Sequence, residues 1–493
     1  MNGDQAGQFL AMARALGHDT EALGGGEGYR TRLRLESLEQ ARALVQVPEE
    51  VRAQRAEVFA TSQACQDETF WQRFDKAMAY VFGAGELTAA DRFFCDRLFP
   101  MDIEAVSLPD KVLQPNEVWD LGTSTAPVIV NLGTLTMMPG SRIVIRNTVL
   151  RFSCQTLVRQ TSAGVAGIEF PRAAAPHFDY QSGNYDIGIF GLNPDQYRWL
   201  QVATGTYAPG LNSGQVTPEL VNAFAAASLP LTTNARVSVL SPDHAWRIVD
   251  ASYGRTYSLV VDPGDAGQID VFQLAMEGSA GGAGGAGGPG TDGTCTCSGS
   301  EPGNGGTTGG MGSGGALGGA GVAGPHGLPG LRADIEIGDL QGNLVIMTRG
   351  GDGAQGGRGG PGGPGGKGGK GGYGSRCAAT CDDGGSGGTG GDGGQGGSGG
   401  QGGNGADAFD IFVTVPPAQK AQVTPVALAS NAGLAGPGGS GGGAGAGGDA
   451  GGAAMYCHGG SQGSEGKPGS SGSAGKAGDH GGLAGRIIIN GQG

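Results

Sequence analysis

Positive charge, charge in general and long apolar runs are all scarce in this chain. Of 493 residues, 15% are charged, with 31 Lys and Arg against 45 Asp and Glu and a net charge of −14. A nucleic-acid partner needs clustered Lys and Arg to neutralise phosphates, so no such partner is expected. No apolar run approaches about 18 residues, so no membrane insertion is expected. Met1 to Leu16 lacks a basic stretch followed by an apolar core, and no secretory signal is read there.

Catalytic motifs are scarce as well. The six histidines, His18, His177, His244, His326, His458 and His480, are scattered and never stand in His-Glu-x-x-His spacing. Asp243–His244 beside Trp246 follows a Pro and reads as turn chemistry. The Gly-Lys-Gly-Gly-Lys around Lys367 lacks the Ser or Thr of a phosphate loop. The expectation is therefore a protein that is not an enzyme, with no cofactor and no metal.

Glycine is what the chain has in excess. It accounts for 105 residues, and 82 of these follow Glu277. From Gly278 to Gly481 it recurs at every third position in six blocks: 278–293, 303–330, 350–374, 384–405, 433–451 and 460–481. Between blocks one and two stand Cys295 and Cys297, between three and four Cys377 and Cys381, and between five and six Cys457. The other interruptions are β-branched: Ala333–Ile337 with Asn343–Met347, Phe409–Val415, and Arg486–Ile489. The order is strand, glycine block, cysteine turn, glycine block, strand, three times over.

A three-residue period matches the polyproline-II helix, which has three residues per turn and about 3.1 Å rise. It makes no internal hydrogen bonds, so its backbone groups need partners on neighbouring segments. Collagen would carry proline at about 15–20% or more; here 25 prolines are spread over the chain. Blocks three and four are mostly Gly-Gly-X, leaving two bare edges. Gly350, Gly353, Gly356 and Gly359, with Gly384, Gly387, Gly390 and Gly393, are expected to be packing glycines.

Upstream, residues 1–104 read as helical. Pro48–Cys65 lacks glycine, and Phe70, Trp71, Phe74, Met78 and Val81 share one helical stripe. Residues 105–277 read as short strands with punctuating turns, in a solenoid or stacked-strand arrangement, with one helix opening at Pro218. Residues 278–493 form the third region. The expected fold class is multidomain: an α-helical N-terminal region, a β-rich middle, and a C-terminal bundle of six polyglycine-II helices as three hairpins with short β-strands between them.

The five tip cysteines, Cys295, Cys297, Cys377, Cys381 and Cys457, are candidates for structural disulfides, since ordering glycine segments is entropically costly. Cys377 and Cys381 could close a small loop, and one of Cys295 and Cys297 could reach Cys457. The alternatives are free thiols, or a zinc site that adds His458. Arg376, Met455 and Tyr456 are the tip-loop binding candidates.

The Gly-Gly-X blocks resemble the polyglycine-II sandwich proteins: snow-flea antifreeze proteins, tail-tip adhesins of T-even-like phages and the glycine-rich regions of mycobacterial PE-PGRS proteins. The resemblance covers about 200 residues and implies architecture, together with structural or binding roles and no catalysis. The first expectation is a self-assembling subunit of an extracellular fibre, sheath or appendage, whose partners are other copies of itself. The alternative is a phage tail-tip or cell-surface adhesin, whose partner is a receptor or glycan. A third reading is ice binding, which needs a flat face of small, regular residues; the ridge of block four is polar and uneven. The expected place is extracellular, or on a virion or cell surface.

Overall fold

The computed structural model describes residues 3–45, 47, 51–52, 55, 70–83, 86–96, 98–121, 127–160, 185–193, 200–203, 214–226, 231–241, 245–250, 255–262, 265–274, 279–294, 304–377 and 380–491. Most of the expected helix at Pro48–Cys65 lies outside the described residues.

The chain opens with α1 (Gly3–Ala15), α2 (Thr20–Gly24), β1 (Tyr29–Leu35), α3 (Leu38–Val45), α4 (Phe70–Val81) and α5 (Ala89–Asp96). Thr88 starts α5 reciprocally: its Oγ1 accepts from Asp91 N at 3.2 Å, and its own N donates to Asp91 Oδ2 at 3.1 Å. There follow β2 (Met101–Leu113), β3 (Val118–Asp120), β4 (Val128–Met137), β5 (Arg142–Arg146), β6 (Leu150–Arg159) and β7 (Ile187–Phe190).

From β2 onward the chain alternates between two sheets. β2, β4 and β6 pair in parallel in the first sheet, and β3, β5 and β7 in the second. The connections turn sharply at Asn116, Gly140 and Asn147, with φ of 62°, 76° and 44°. These are left-handed conformations that Gly and Asn tolerate best.

Six strands then form a separate antiparallel sheet: β8 (Leu200–Ala203), β9 (Gly214–Gln215), β10 (Arg236–Ser241), β11 (Ala245–Asp250), β12 (Arg255–Asp262) and β13 (Asp265–Leu274). Between β9 and β10 runs α6 (Pro218–Ala226).

The alternation resumes more than 140 residues after β7. β14 (Ala333–Ile337) joins β6, β15 (Leu340–Gln341) also pairs β6, and β16 (Leu344–Arg349) joins β7. A two-residue hairpin, β17 (Arg376–Cys377) and β18 (Thr380–Cys381), stands apart. β19 (Ile411–Thr414) joins β14, β20 (Val423–Leu428) joins β16, and β21 (Ile487–Ile489) joins β19. The first sheet therefore has the order β1-β2-β4-β6-β14-β19-β21, and the second β20-β16-β7-β5-β3.

Inward residues of both sheets make one core. Val130, Leu132, Phe152, Ile335, Ile411 and Ile487 meet Ile143, Ile187, Ile346 and Val423 there. The helices cover the outer face of the first sheet: Leu16, Leu38, Val45, Phe74, Met78 and Val81 pack on Ile103, Ala105, Ile129, Val149, Leu331 and Phe409. Strands covered on both faces read as almost unbroken apolar runs, as in Val128–Leu132.

Buried ion pairs key the helical layer to this face. Arg332 Nε and Nη2 donate to the two oxygens of Asp75 on α4 at 2.9 and 2.7 Å. Arg55 donates to both oxygens of Asp334 on β14 at 2.8 and 3.1 Å, and Arg151 on β6 adds a third bond at 2.8 Å. Burial pushes the Asp334 carboxyl up, but Arg151 and Arg55 outweigh it and hold the group below its ordinary range. At Asp75 burial outweighs Arg332, and the pKa is raised.

Between the later strands the chain makes three long excursions, each of two glycine runs. Numbered in order, the runs occupy 279–294, 304–330, 350–375, 383–407, 430–452 and 458–486. Run 3 donates from Gly353, Gly356 and Gly359 to carbonyls of Asn431, Leu434 and Pro437 in run 5, at 2.9–3.0 Å. From Ala354, Gly357 and Gly360 it donates to Pro325, Val322 and Gly319 in run 2, at 2.8–3.0 Å. It accepts from Gly281 and Gly284 of run 1 and from Gly391 and Gly394 of run 4, all at 2.8 Å. Run 4 also donates to run 6, accepts from run 5 and accepts from run 2. Runs 1, 3 and 5 thus form one layer and runs 2, 4 and 6 another, with runs 3 and 4 bonded to four neighbours each.

The expected fold class is corrected here. Helix accounts for only 17% of the structure, and the C-terminal part is not a helix bundle; the architecture is an eight-stranded mixed sheet with a parallel second sheet. The strands between the runs continue the sheets begun at residues 101–190, and the N-terminal region expected to be helical contributes β1 to the edge. The physical reason is that a glycine period reports only local backbone spacing. Which sheet a strand joins is decided by pairing across hundreds of residues, which no local period encodes.

Candidate functional site

The sheets lie at one end of the excursions, and the turns between paired runs lie at the other. β17 and β18 make the turn from run 3 to run 4, with Arg376 opposite Cys381 and Cys377 opposite Thr380. Residues 453–457 make the turn from run 5 to run 6, where Cys457 N donates to Ala454 O at 2.9 Å and Tyr456 takes φ 71°.

A disulfide joins these two turns, Cys381 to Cys457, with Cα atoms 5.3 Å apart and a sequence separation of 76. The small Cys377–Cys381 loop is not what forms; the hairpin sets Cys377 across from Thr380 and leaves Cys381 to the neighbouring turn. Cys457 is taken by Cys381, so the expected reach of Cys295 or Cys297 to it does not form; those two cysteines lie outside the described residues. Main-chain contacts reinforce the covalent clamp: Gly384 N donates to His458 O at 2.9 Å, and His458 N to Asp383 Oδ1 at 3.0 Å. Among the described residues no three His, Cys, Asp or Glu side chains converge on one point as metal ligands would. Burial pushes the thiols of Cys95 and Cys154 up to about 11 and about 12, which leaves both unreactive.

The clamp brings Arg376, Met455 and Tyr456 together. The Arg376 guanidinium sits 5.1 Å from the centre of the Tyr456 ring, and its Nη1 donates to Met455 O at 3.5 Å. Tyr456 is 83% exposed and Met455 72%. Tyr373, 51% exposed, extends the patch along run 3 with Lys370, whose Nζ lies 4.5 Å from the ring centre and 3.2 Å from the hydroxyl. Tyr373 and Lys370 were not expected in the site: they occupy X positions of a Gly-Gly-X run, where nothing local separates them from Lys367 or Pro364.

The eight packing glycines sit where no side chain fits. A Cβ on Gly350, Gly353, Gly356 or Gly359 of run 3 would lie 1.7–2.1 Å from a carbonyl oxygen of run 4. On Gly384, Gly387, Gly390 or Gly393 of run 4 it would lie 1.9–2.5 Å from one of run 5. Both obstacles are backbone, which cannot swing aside as a side-chain tip does.

No protein-family model matches the chain, and neither a curated protein nor a solved structure does.

Proposed function

We propose that the protein is a non-catalytic structural subunit that assembles with copies of itself, outside the cell or on a cell or virion surface. One observation carries this reading: the two ends of the first sheet are finished differently. At one end β1 presents Arg30, Arg32 and Arg34, all exposed. Charge of this kind on an edge strand discourages pairing. At the other end β21 is Ile487-Ile488-Ile489, and among the described residues β19 is its one strand neighbour. Its bonds to β19 run from Ile411 N to Arg486 O and from Asn490 N to Val413 O, at 2.8 and 2.9 Å. By strand alternation the N–H and C=O of Ile487 and Ile489 then point away from the sheet. The second sheet ends beside it on β20, where Pro425 lacks an N–H and blunts the edge. The three isoleucines are themselves buried, and the edge of β21 that no described strand pairs is a template for a strand of another copy.

Light scattering after size exclusion, with negative-stain microscopy, tests this. Dimers or fibres in the wild type, reduced to monomers by Ile489→Pro, are the expected result. A wild-type monomer at about 100 μM, near the weak end of specific association, sinks the reading.

An adhesin remains the second reading, and the tip favours it. Exposed Tyr, Met and Arg side chains on a covalently clamped turn are the residue types that anchor protein contacts. Discrete elongated particles that bind a cell surface, and lose that binding in Tyr456→Ala, would favour it over assembly.

A further inference from the structure

The tip carries one residue that the fold does not ask for. Cys457 N donates to Ala454 O at 2.9 Å and closes a four-residue turn, whose third residue, Tyr456, has φ 71°. A positive φ at that place calls for Gly or Asn, and a bulky side chain there is strained. In a chain with 105 glycines, glycine is the unstrained choice. Tyr456 is also 83% exposed, so packing of its ring does little to offset the strain. Backbone strain of this kind collects at sites that hold ligands.

The surroundings of the ring say what such a ligand must carry. Arg376 is the cross-strand partner of Cys381, and Tyr456 precedes Cys457, so the disulfide between those cysteines sets the guanidinium against the ring. One N–H of Arg376 goes to Met455 O, and among the described residues no carboxylate pairs with the rest of the fork. Lys370 Nζ meets the ring and hydroxyl of Tyr373, again without a carboxylate. That ring is seated over Gly452, where a Cβ would come 2.5 Å from it. The nearby acids are engaged: Asp449 pairs with Lys367 at 3.2 Å, Asp383 Oδ1 accepts from His458 N at 3.0 Å, and Asp292 Oδ1 accepts from Tyr373 N at 2.8 Å. Asp382 Oδ2 is buried. Arg376 and Lys370 are therefore the charges left without an opposite, and the group that complements them is an anion.

Size narrows the class further. A standard protein interface takes about 20–30 residues a side, whereas this patch consists of Arg376, Met455 and Tyr456 with Tyr373 and Lys370 beside them. We propose that the tip binds a carboxylated saccharide. The C–H face of an acidic pyranose lies on the open side of the Tyr456 ring, and its carboxylate on the Arg376 fork. In such a sugar the carboxyl carbon is bonded directly to the ring, so one unit reaches both groups across the 5.1 Å between them. Lys370 takes the carboxylate of a further unit. The proposal rests on the adhesin reading and is independent of assembly through β21.

Saturation-transfer NMR on the full-length protein tests it, with sialyllactose, trigalacturonate and a hyaluronan tetrasaccharide as probes and lactose, galactotriose and chitotetraose as neutral counterparts. The expected result is transfer from at least one acidic probe, with Kd on the order of 1 mM and at least tenfold weaker binding of its neutral counterpart. Arg376→Gln and Tyr456→Gly should each weaken binding at least tenfold. Tyr456→Gly suits the left-handed backbone, so its Tm should match or exceed that of the wild type, which separates lost recognition from a lost fold. Equal transfer from the neutral counterparts, or unchanged binding in Tyr456→Gly or Arg376→Gln, overturns the proposal. Absence of transfer from every acidic probe overturns it too. In that case the adhesin reading stands if Tyr456→Ala still lowers attachment to cells, and falls with it if the wild type attaches to none.

Discussion

The strand stack and the glycine runs solve the same problem by opposite means. Both are extended segments laid side by side and bonded laterally through the main chain. In the stack, bulky side chains fill the space between two sheets, and Phe152, Ile335 and Ile411 are almost wholly buried. In the runs there is no room for side chains between neighbours, and the core is carbonyl against glycine Cα. A backbone hydrogen bond contributes about 0.5–1.5 kcal/mol net, whereas ordering a residue costs about 1–2 kcal/mol. Lateral bonds alone thus do not hold a glycine run in place. Runs 3 to 6 are held at both ends, by the sheets on one side and by Cys381–Cys457 on the other.

Mutations should separate the two regions. The largest effect is expected from Phe152→Ala, which opens a cavity in the stack and should cost about 4 kcal/mol of global stability by denaturant unfolding. Cys381→Ser removes the clamp over 76 residues; it should cost about 3 kcal/mol, read as faster exchange in runs 3 to 6 with the sheets still protected. Gly390→Ala places a methyl 1.9 Å from Gly445 O; forcing two runs apart should cost about 2–3 kcal/mol, again confined to the runs. Gly443→Ala is the control, since a Cβ there meets nothing within 4 Å; its effect should stay within about 0.5 kcal/mol.

Acid should sharpen the same contrast. Asp334, buried between Arg55 and Arg151, and Asp410, bonded to Arg486, both have pKa values below the ordinary 3.8 despite burial. A depressed carboxylate contributes stability above its unfolded pKa and loses it as pH falls through the folded value. The seam between helices and stack should therefore weaken below about pH 4, and Asp334→Asn should flatten that limb. Asp75, raised by burial, has the opposite sign and partly offsets it. The ion pair on the surface of the runs, Lys367–Asp449, is more than half exposed on both sides and should contribute little to any acid response.

Legibility in the sequence followed the range of the interactions. The β-branched segments at 142–145, 333–337 and 487–489 lie in strands because branched side chains suit a buried pleated surface. The glycine period marked where backbones come close. β1 was not legible: Tyr29–Leu35 alternates Arg with Thr and Leu, the pattern of an edge strand, inside a region otherwise helical. β20 was hidden by Pro425. The seam could not be read at all, since Asp75–Arg332 and Arg55–Asp334 span 257 and 279 residues. At the tip, Arg376, Met455 and Tyr456 stood out because they interrupt the glycine period, whereas Tyr373 and Lys370 keep it.

Residue-resolved amide hydrogen exchange on the full-length protein tests the lateral bonding of the runs most directly. The bonds predict a period of three that differs between centre and rim. In run 3, Gly356 and Gly357 donate to neighbouring runs and should be protected, while Arg358, with no main-chain acceptor among the described residues, should exchange fast. In run 6 only one amide per triplet, such as Gly466 or Gly469, donates to a neighbouring main chain and should be protected. Uniformly fast exchange through residues 350–405, or protection without a three-residue period, would contradict the account.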